Sequence, residues 1–426
     1  MLVLRGGRVI DPSRGFDGPA DVVIEGTRIS RLGPGAAQGL SGERVRVIDV
    51  AGRWVVPGFV DLHVHFREPG YEYKEDIASG LRAAAAGGFT TVCAMPNTKP
   101  VNDTRAITEM MMARARAAGG PHLHPIAAAT LGSEGKQLTE MADLREAGAI
   151  GVSDDGRCVM NAAVMRRALE YARTFDLLFS QHCEDHDLTA GAQMHEGEVS
   201  TRLGLHGWPR AAEDVIVARD LILAEATGAR YHVAHVSSLG AVRLLREAKA
   251  RGLRVTAEVT PHHLTLTHEA LLGYRTACKV NPPLREAQDV EALRAALADG
   301  TIDCIATDHA PHSTLEKDCE FEAASPGMIG LEPAIPALLG LVREGALSPM
   351  RLIESLSSSA ARVAGLGAGT LKEGAPADIA VIDPDVDWTM DASSLSSRSV
   401  NTPLLGQRVR GRNALTIVDG QVVYER

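Results

Sequence analysis

Aromatic residues are scarce in this chain: 4% of 426 positions, three of them tryptophan. Cysteine is scarcer, with six at positions 93, 158, 183, 278, 304 and 319 and no Cys-x-x-Cys pair. Several lie in apolar runs, so buried free thiols in a reducing cytosol are expected. There is no excess of positive charge, since the net charge is −10. Nucleic acid, whose phosphates need a basic footprint, is therefore not an expected partner. An acidic chain can still take an anionic substrate where the site is locally positive. No window approaches the roughly 20 consecutive apolar residues of a membrane span. The opening MLVLRGGRVIDP has no basic stretch followed by a long apolar one, so no signal peptide is expected. These absences predict a cytoplasmic protein with no membrane partner.

What is present is ordinary globular material, 45% hydrophobic and 23% charged, in a length that suits an α/β barrel with an appendage. Residues 1–55 read as short strands, Leu2–Ile10, Asp21–Glu25, Arg28–Leu32 and Val45–Val50, separated by Gly, Pro, Ser and Asp clusters. From residue 56 to 365 apolar runs recur near 58–66, 89–96, 122–130, 149–155, 177–185, 230–237, 254–264 and 303–312. Helical patterns lie between most of them, at 103–118, 137–147, 161–175, 209–227, 239–250 and 286–299. Asp103 and Asn161 suit helix N-caps, and Gly119, Gly148, Gly228, Gly252 and Gly300 suit helix ends. Eight runs alternating with helices predict a closed parallel (β/α)8 barrel, although 277–283 could be a further strand. Residues 366–426 return to short strands, Asp378–Ile382, Thr416–Val418 and Gln421–Tyr424. The two ends are expected to pair as one small β-sandwich.

The chemistry concentrates in Asp61-Leu62-His63-Val64-His65. Two histidines at i and i+2 on a strand project from the same face, so both imidazoles can reach one metal. His122-x-His124 has the same spacing and is expected to be structural. Other metal-type residues end later strand runs: Asp154 and Asp155, His182, His235 and Asp308. In a parallel barrel every C-terminal strand end faces one mouth, so these residues converge. Four histidines and two aspartates are the inventory of a two-metal hydrolase. Either Asp154 or Asp155 could supply the bridging carboxylate. His309 is expected beside the ligands rather than among them. His186, His195 and His206 are expected at the surface of a loop-like insertion.

The order of motifs resembles the amidohydrolase superfamily and, within it, the bacterial dihydroorotases related to the multifunctional pyrimidine-synthesis enzymes. It rests on Pro57-Gly58-Phe59-Val60-Asp61-Leu62-His63-Val64-His65-Phe66-Arg67, Met95-Pro96-Asn97-Thr98, Ser153-Asp154-Asp155-Gly156, His182-Cys183-Glu184-Asp185, Asn281-Pro282-Pro283 and Ala306-Thr307-Asp308-His309-Ala310-Pro311-His312. Arg67 and the Met95–Thr98 and Asn281–Pro283 stretches separate dihydroorotases from their relatives. The resemblance implies a metallo-dependent TIM barrel that interconverts dihydroorotate and N-carbamoyl-aspartate using Zn2+, one or two ions per chain, with two expected. It gives His63 and His65 to one zinc, His182 and His235 to the other, and the bridge to Asp155. Asp308 would bind the first zinc and carry the proton. His65, Arg67, Asn97, Asn281 and His312 would contact substrate, as would the backbone at Pro326 and Gly327, where many family members carry Phe-Gly. A homo-oligomer is implied, and association with aspartate transcarbamoylase is allowed. The rival readings are a hydantoinase or allantoinase, or an inactive homologue partnering the transcarbamoylase. Many hydantoinase-like enzymes bridge their metals with a carboxylated lysine, and no lysine occurs between Lys136 and Lys249 here.

Overall fold

A computed structural model describes residues 1–426. Eight parallel strands, each hydrogen-bonded to the next in chain order, form the central sheet: β1 Phe59–Val64, β2 Phe89–Ala94, β3 His122–Ala127, β4 Gly151–Val152, β5 Leu178–Gln181, β6 Tyr231–Val233, β7 Val255–Val259 and β8 Cys304–Ile305. A parallel bridge from Val64 to His309 brings the end of β1 beside the chain leaving β8. The buried Asp61 carboxylate fastens this join. It accepts hydrogen bonds from the Thr307 amide (3.0 Å), the Thr307 hydroxyl (2.5 Å) and the His63 amide (3.1 Å). The barrel is thereby nearly closed, as the eight runs predict.

Each expected helix forms, as Arg105–Ala118, Met141–Ala147, Ala162–Thr174, Ala211–Thr227, Leu239–Ala250 and Ala287–Asp299. Asn161 caps its helix through the amides of Ala163 and Val164, 2.9 and 3.1 Å away. Asp103 does not cap; Thr104 takes that place, and the Asp103 carboxylate accepts from the Gly132 amide at 2.8 Å. Segment 277–283 is no strand: it holds a turn of 3-10 helix at Thr276–Cys278.

The helix Ile77–Gly87 has no counterpart in the expectation. Its sequence, IASGLRAAAAG, is mostly small residues, and all but Ala78 and Arg82 are buried between the barrel and the terminal sheet. Close approach explains the small residues. A Cβ on Gly80 would lie 2.3 Å from the Phe66 ring, and one on Gly87 would lie 2.4 Å from the Leu331 carbonyl oxygen. Asn413 and Thr416 of a C-terminal strand donate to the Ala85 carbonyl at 3.1 and 2.6 Å. Helices Ala334–Arg343, Pro349–Leu356 and Ser358–Ala364 follow the barrel and were likewise not foreseen.

Strands from both ends of the chain form one hydrogen-bonded sheet. Its order is Gln421–Glu425, Arg408–Val418, Ile379–Thr389, Trp54–Pro57, Leu2–Asp11, Phe16–Glu25 and Arg28–Gly33, with Arg46–Asp49 paired to Leu2–Asp11. Leu4, Val22, Ile29, Val55, Ile379 and Ile417 bury together in its core. No helix is long and apolar enough to cross a membrane.

Candidate metal centre and active site

All eight strands run the same way, so their C-terminal ends share one mouth. His63 lies near the end of β1 and His65 just beyond it, and the alternation of a strand turns both inward. Asp155 follows β4, His182 follows β5, His235 lies two residues past β6, and Asp308 lies three past β8. The six side chains are all buried. His63 Nε2 is 3.3 Å from Asp155 Oδ1 and 3.7 Å from Asp308 Oδ1. His65 Nε2 is 3.1 Å from Asp308 Oδ1 and 3.6 Å from Asp155 Oδ2. His235 Nε2 is 3.7 Å and His182 Nδ1 4.0 Å from Asp155 Oδ1. Asp155 thus stands between the two histidine pairs. Asp154 faces away, held by the amides of Ala129 and Thr130 at 2.9 and 3.0 Å.

Outer partners fix which nitrogen of each ring faces the centre. His63 Nδ1 bonds Glu258 Oε1 at 2.8 Å, His65 Nδ1 bonds Asn97 Oδ1 at 2.8 Å, and His182 Nε2 bonds Glu184 Oε2 at 2.7 Å. A ring that donates its outer N–H in this way presents a lone pair inward, the usual arrangement of metal-binding histidines. Burial pushes the Glu258 carboxyl up, but His232 and His63 outweigh it and hold it at about 2. Burial also opposes ionisation of Asp155, yet His63, His235 and His65 hold it well below the carboxylate range.

His63 Nε2 and Asp155 Oδ1 are buried and make no hydrogen bond. Leaving such atoms unpaired is costly, and a cation between them supplies what both lack. Donor atoms of His63, Asp155 and His235 lie within 4.8 Å of one another, as do those of His63, His65 and Asp308. The residues therefore fit a metal site of mixed nitrogen and carboxylate donors.

Above the centre is a cavity of about 230 Å³, lined by His65, Arg67, Asn97, Asn281, His312 and the Ser325–Gly327 segment, among others. Arg67 donates to the Pro311 carbonyl at 3.2 Å and lies 3.4 Å from His312 Nε2, and it is ion-paired with no carboxylate, although Asp308, Asp155 and Glu316 attract it. Burial lowers its pKa from the ordinary guanidinium value. Asn97 is engaged at both ends, since its amide nitrogen also donates to Asp155 Oδ2 at 3.3 Å. Asn281 donates to Glu184 at 3.2 Å, and its buried Oδ1 is unpartnered. His312 Nε2 donates to the Pro326 carbonyl at 2.9 Å; burial, Arg67 and Lys74 depress its pKa to about 2, so the ring is neutral. Arg67, His235 and Asp308 all have left-handed backbone, with φ of 61°, 32° and 46°. Strain of this kind collects where side chains must be aimed against backbone preference.

Sequence reasoning did not single out Glu258, Glu184 or His232, which bonds Glu258 Oε2 at 3.1 Å. Glu258 carried a signal: a charged residue inside the apolar run 254–264. His309 is no inward donor, because its Nδ1 accepts from the Gly330 amide at 3.1 Å. His195 is a correction. It is fully buried, on a two-residue strand paired with Gly207–Trp208 that organises the insertion, and Arg285 donates to it at 3.3 Å.

Residues 52–240 match the family model described as Dihydro-orotase-like. Curated relatives named dihydroorotase include one from Anaeromyxobacter dehalogenans, 56% identical over 100% of this chain and 98% of its own length. Another, from Pelobacter propionicus, is 52% identical over the full length of both. Among solved structures, an L-hydantoinase from Arthrobacter aurescens superposes with a TM-score of 0.88 at 25% identity, covering 100% of this chain and 96% of its own.

Proposed function

This chain belongs to the dihydroorotase family, and on that premise we propose that it catalyses the reversible cyclisation of N-carbamoyl-L-aspartate to (S)-dihydroorotate in pyrimidine synthesis. The observation that carries the substrate assignment is Arg67, a guanidinium at the cavity wall whose hydrogen bonds go to the Pro311 carbonyl and His312 and to no carboxylate. A substrate carboxylate fits its two-pronged donor geometry. The unpartnered Asn281 Oδ1 suits a ring N–H.

His63, His65 and Asp308 would hold one zinc and His182 and His235 a second, with Asp155 between them. Zinc, when bound, supplies Lewis acidity and makes hydroxide available near neutral pH. Asp308 takes the proton of the attacking water and returns it to the ring nitrogen as the amide C–N bond breaks. Ring closure reverses each transfer: the carbamoyl nitrogen attacks the carboxyl carbon, and water leaves with the proton that Asp308 carried. Arg67 and His312 hold the substrate against this exchange.

The test compares rings with and without a carboxylate. With zinc-loaded protein, kcat/KM for dihydroorotate should exceed that for dihydrouracil by at least about 30-fold, the equivalent of roughly 2 kcal/mol for a guanidinium left unpaired. Chelation should abolish both activities and zinc should restore them. Equal use of dihydrouracil or hydantoin would favour the hydantoinase reading, and full activity in metal-free protein would remove the metal centre from the mechanism.

A further inference from the structure

The cavity wall formed by residues 310–312 and 325–327, against which Arg67 rests through the Pro311 carbonyl, is not held by the barrel alone. Residues 396–402 form an irregular segment between the strands Ile379–Thr389 and Arg408–Val418 of the terminal sheet. They pack against Glu75, Glu332 and the chain that follows β8. The amides of Ser396 and Ser397 donate to Glu332 at 2.8 and 3.1 Å, and the Arg398 amide donates to Glu75 at 3.2 Å. The Ser397 hydroxyl donates to Glu75 at 2.5 Å and that of Ser399 to the Lys74 carbonyl at 2.7 Å. At the end of this strap is Asn401, buried at 8% exposure.

Every hydrogen bond of the Asn401 side chain goes to backbone beside the cavity. Its amide nitrogen donates to the carbonyls of Ala310 and Gly327, both at 3.1 Å, and its Oδ1 accepts from the His312 amide at 3.1 Å. Its own carbonyl accepts from the Ile329 amide at 3.0 Å. Ala310, His312 and Gly327 all line the cavity. Two separate stretches of chain, 310–312 and 325–329, are thus tied by one carboxamide, in addition to the direct bonds from the Ala310 amide to the Met328 carbonyl and from His312 Nε2 to the Pro326 carbonyl, both 2.9 Å. Gly327 must sit close: a Cβ there would lie 2.8 Å from that of Ala310.

We propose that Asn401 is a positioning residue for substrate: it sets the spacing between the His312 side and the Pro326–Gly327 side of the pocket without touching the ligand. The inference rests on the reading above that this cavity takes the dihydroorotate ring. It assigns the C-terminal strap a part in substrate affinity, distinct from the proton and metal chemistry below it. An amide suits the place because the Ala310 carbonyl and the His312 N–H are met from one side chain, which also shares the Gly327 carbonyl with Lys317 Nζ (3.0 Å), and only Asn or Gln carries both donors and acceptor on one planar group.

The experiment uses the zinc-loaded full chain. Asn401→Asp keeps the shape and the acceptor for His312 but sets a carboxylate against two carbonyl oxygens. KM for dihydroorotate should rise about tenfold or more, the scale of one net hydrogen bond in the pocket. Zinc content should stay unchanged, and kcat should stay within about threefold. Ser399→Ala, which loses a strap bond away from the wall, should leave KM unaltered. A merely structural role predicts the opposite pattern, with lower melting temperature and less active enzyme at unchanged KM; that result overturns the proposal. Should Asn401→Asp fail to fold, hydrogen exchange on the wild-type holoenzyme decides. Dihydroorotate should slow exchange at the amides of His312 and Ile329, and no slowing at either amide also overturns it. Wild-type protein that does not process dihydroorotate would instead sink the functional reading beneath the inference.

Discussion

Two His-x-His pairs lie on strands of the same barrel. His63 and His65 leave the C-terminal end of β1, whereas His122 and His124 open the N-terminal end of β3. The spacing is identical, and in each the two rings share one face. The upper pair is buried among Asp155, Asp308, Glu258 and Asn97, with a nitrogen of His63 unpartnered. The lower pair is half-buried at the barrel's foot. His122 meets Asp378 at 3.4 Å and Asp419 at 3.7 Å, both from the C-terminal part of the chain. Burial holds His124 at about 4, and it has no acidic partner. Position along the strand separates the two pairs, because in a parallel barrel only one strand end faces the cavity.

The largest effect should come from the carboxylate between the upper histidines. Asp155→Ala is expected to lose bound metal and, with it, measurable dihydroorotate hydrolysis. Elemental analysis beside the assay checks both. Because a carboxylate is already anionic, reconstitution of the wild-type enzyme should be indifferent to bicarbonate. A bicarbonate requirement, or a carbamate on a lysine at the centre, would place the bridge elsewhere.

A smaller but still large loss is expected from Asp308→Asn, which keeps the size of the side chain and cannot return a proton. kcat should fall by roughly 10²- to 10⁴-fold. Retention of more than about a tenth of kcat at normal zinc content would remove Asp308 from the proton-carrier role.

The lower pair should respond least. His122→Ala should leave zinc content and kcat unchanged. The Asp378 carboxylate raises the His122 pKa above its ordinary value, against burial. Its stabilisation is therefore full below about pH 6.5, the ordinary histidine pKa, and is lost as pH rises through the raised value. The side chain is 37% exposed, so solvent screening limits the effect to below about 1 kcal/mol. Thermal melts of wild type and variant at pH 6 and pH 9 should converge at the higher pH. A gap that widens with pH would reverse the assignment.

Much of the architecture was legible before any coordinates. The barrel strands show because, buried on both faces, they read as short continuous apolar runs, and the helices show through apolar runs bounded by capping and glycine signals. The helix Ile77–Gly87 escaped because close approach selects glycine and alanine, small residues that mark neither a core nor a surface face strongly. Burial of His195 escaped for a different reason: its partner Arg285 lies 90 residues away in the chain.

The sequence by itself determined the inventory: two histidines at strand spacing, further histidines and aspartates at the ends of later strand runs, an arginine two residues beyond the first pair, and no lysine between 136 and 249. These are local properties, set by residue type and by the two-residue alternation of a strand. Only the tertiary structure decided how the inventory is aimed. Asp155 faces inward while Asp154 anchors a loop, and Glu258, 195 residues from His63, fixes that ring's outer nitrogen. Asn401 reaches the pocket from beyond the barrel. The reason is geometric: alternation assigns each side chain a face, but which groups meet across that face is set by closing the barrel and docking the terminal sheet against it.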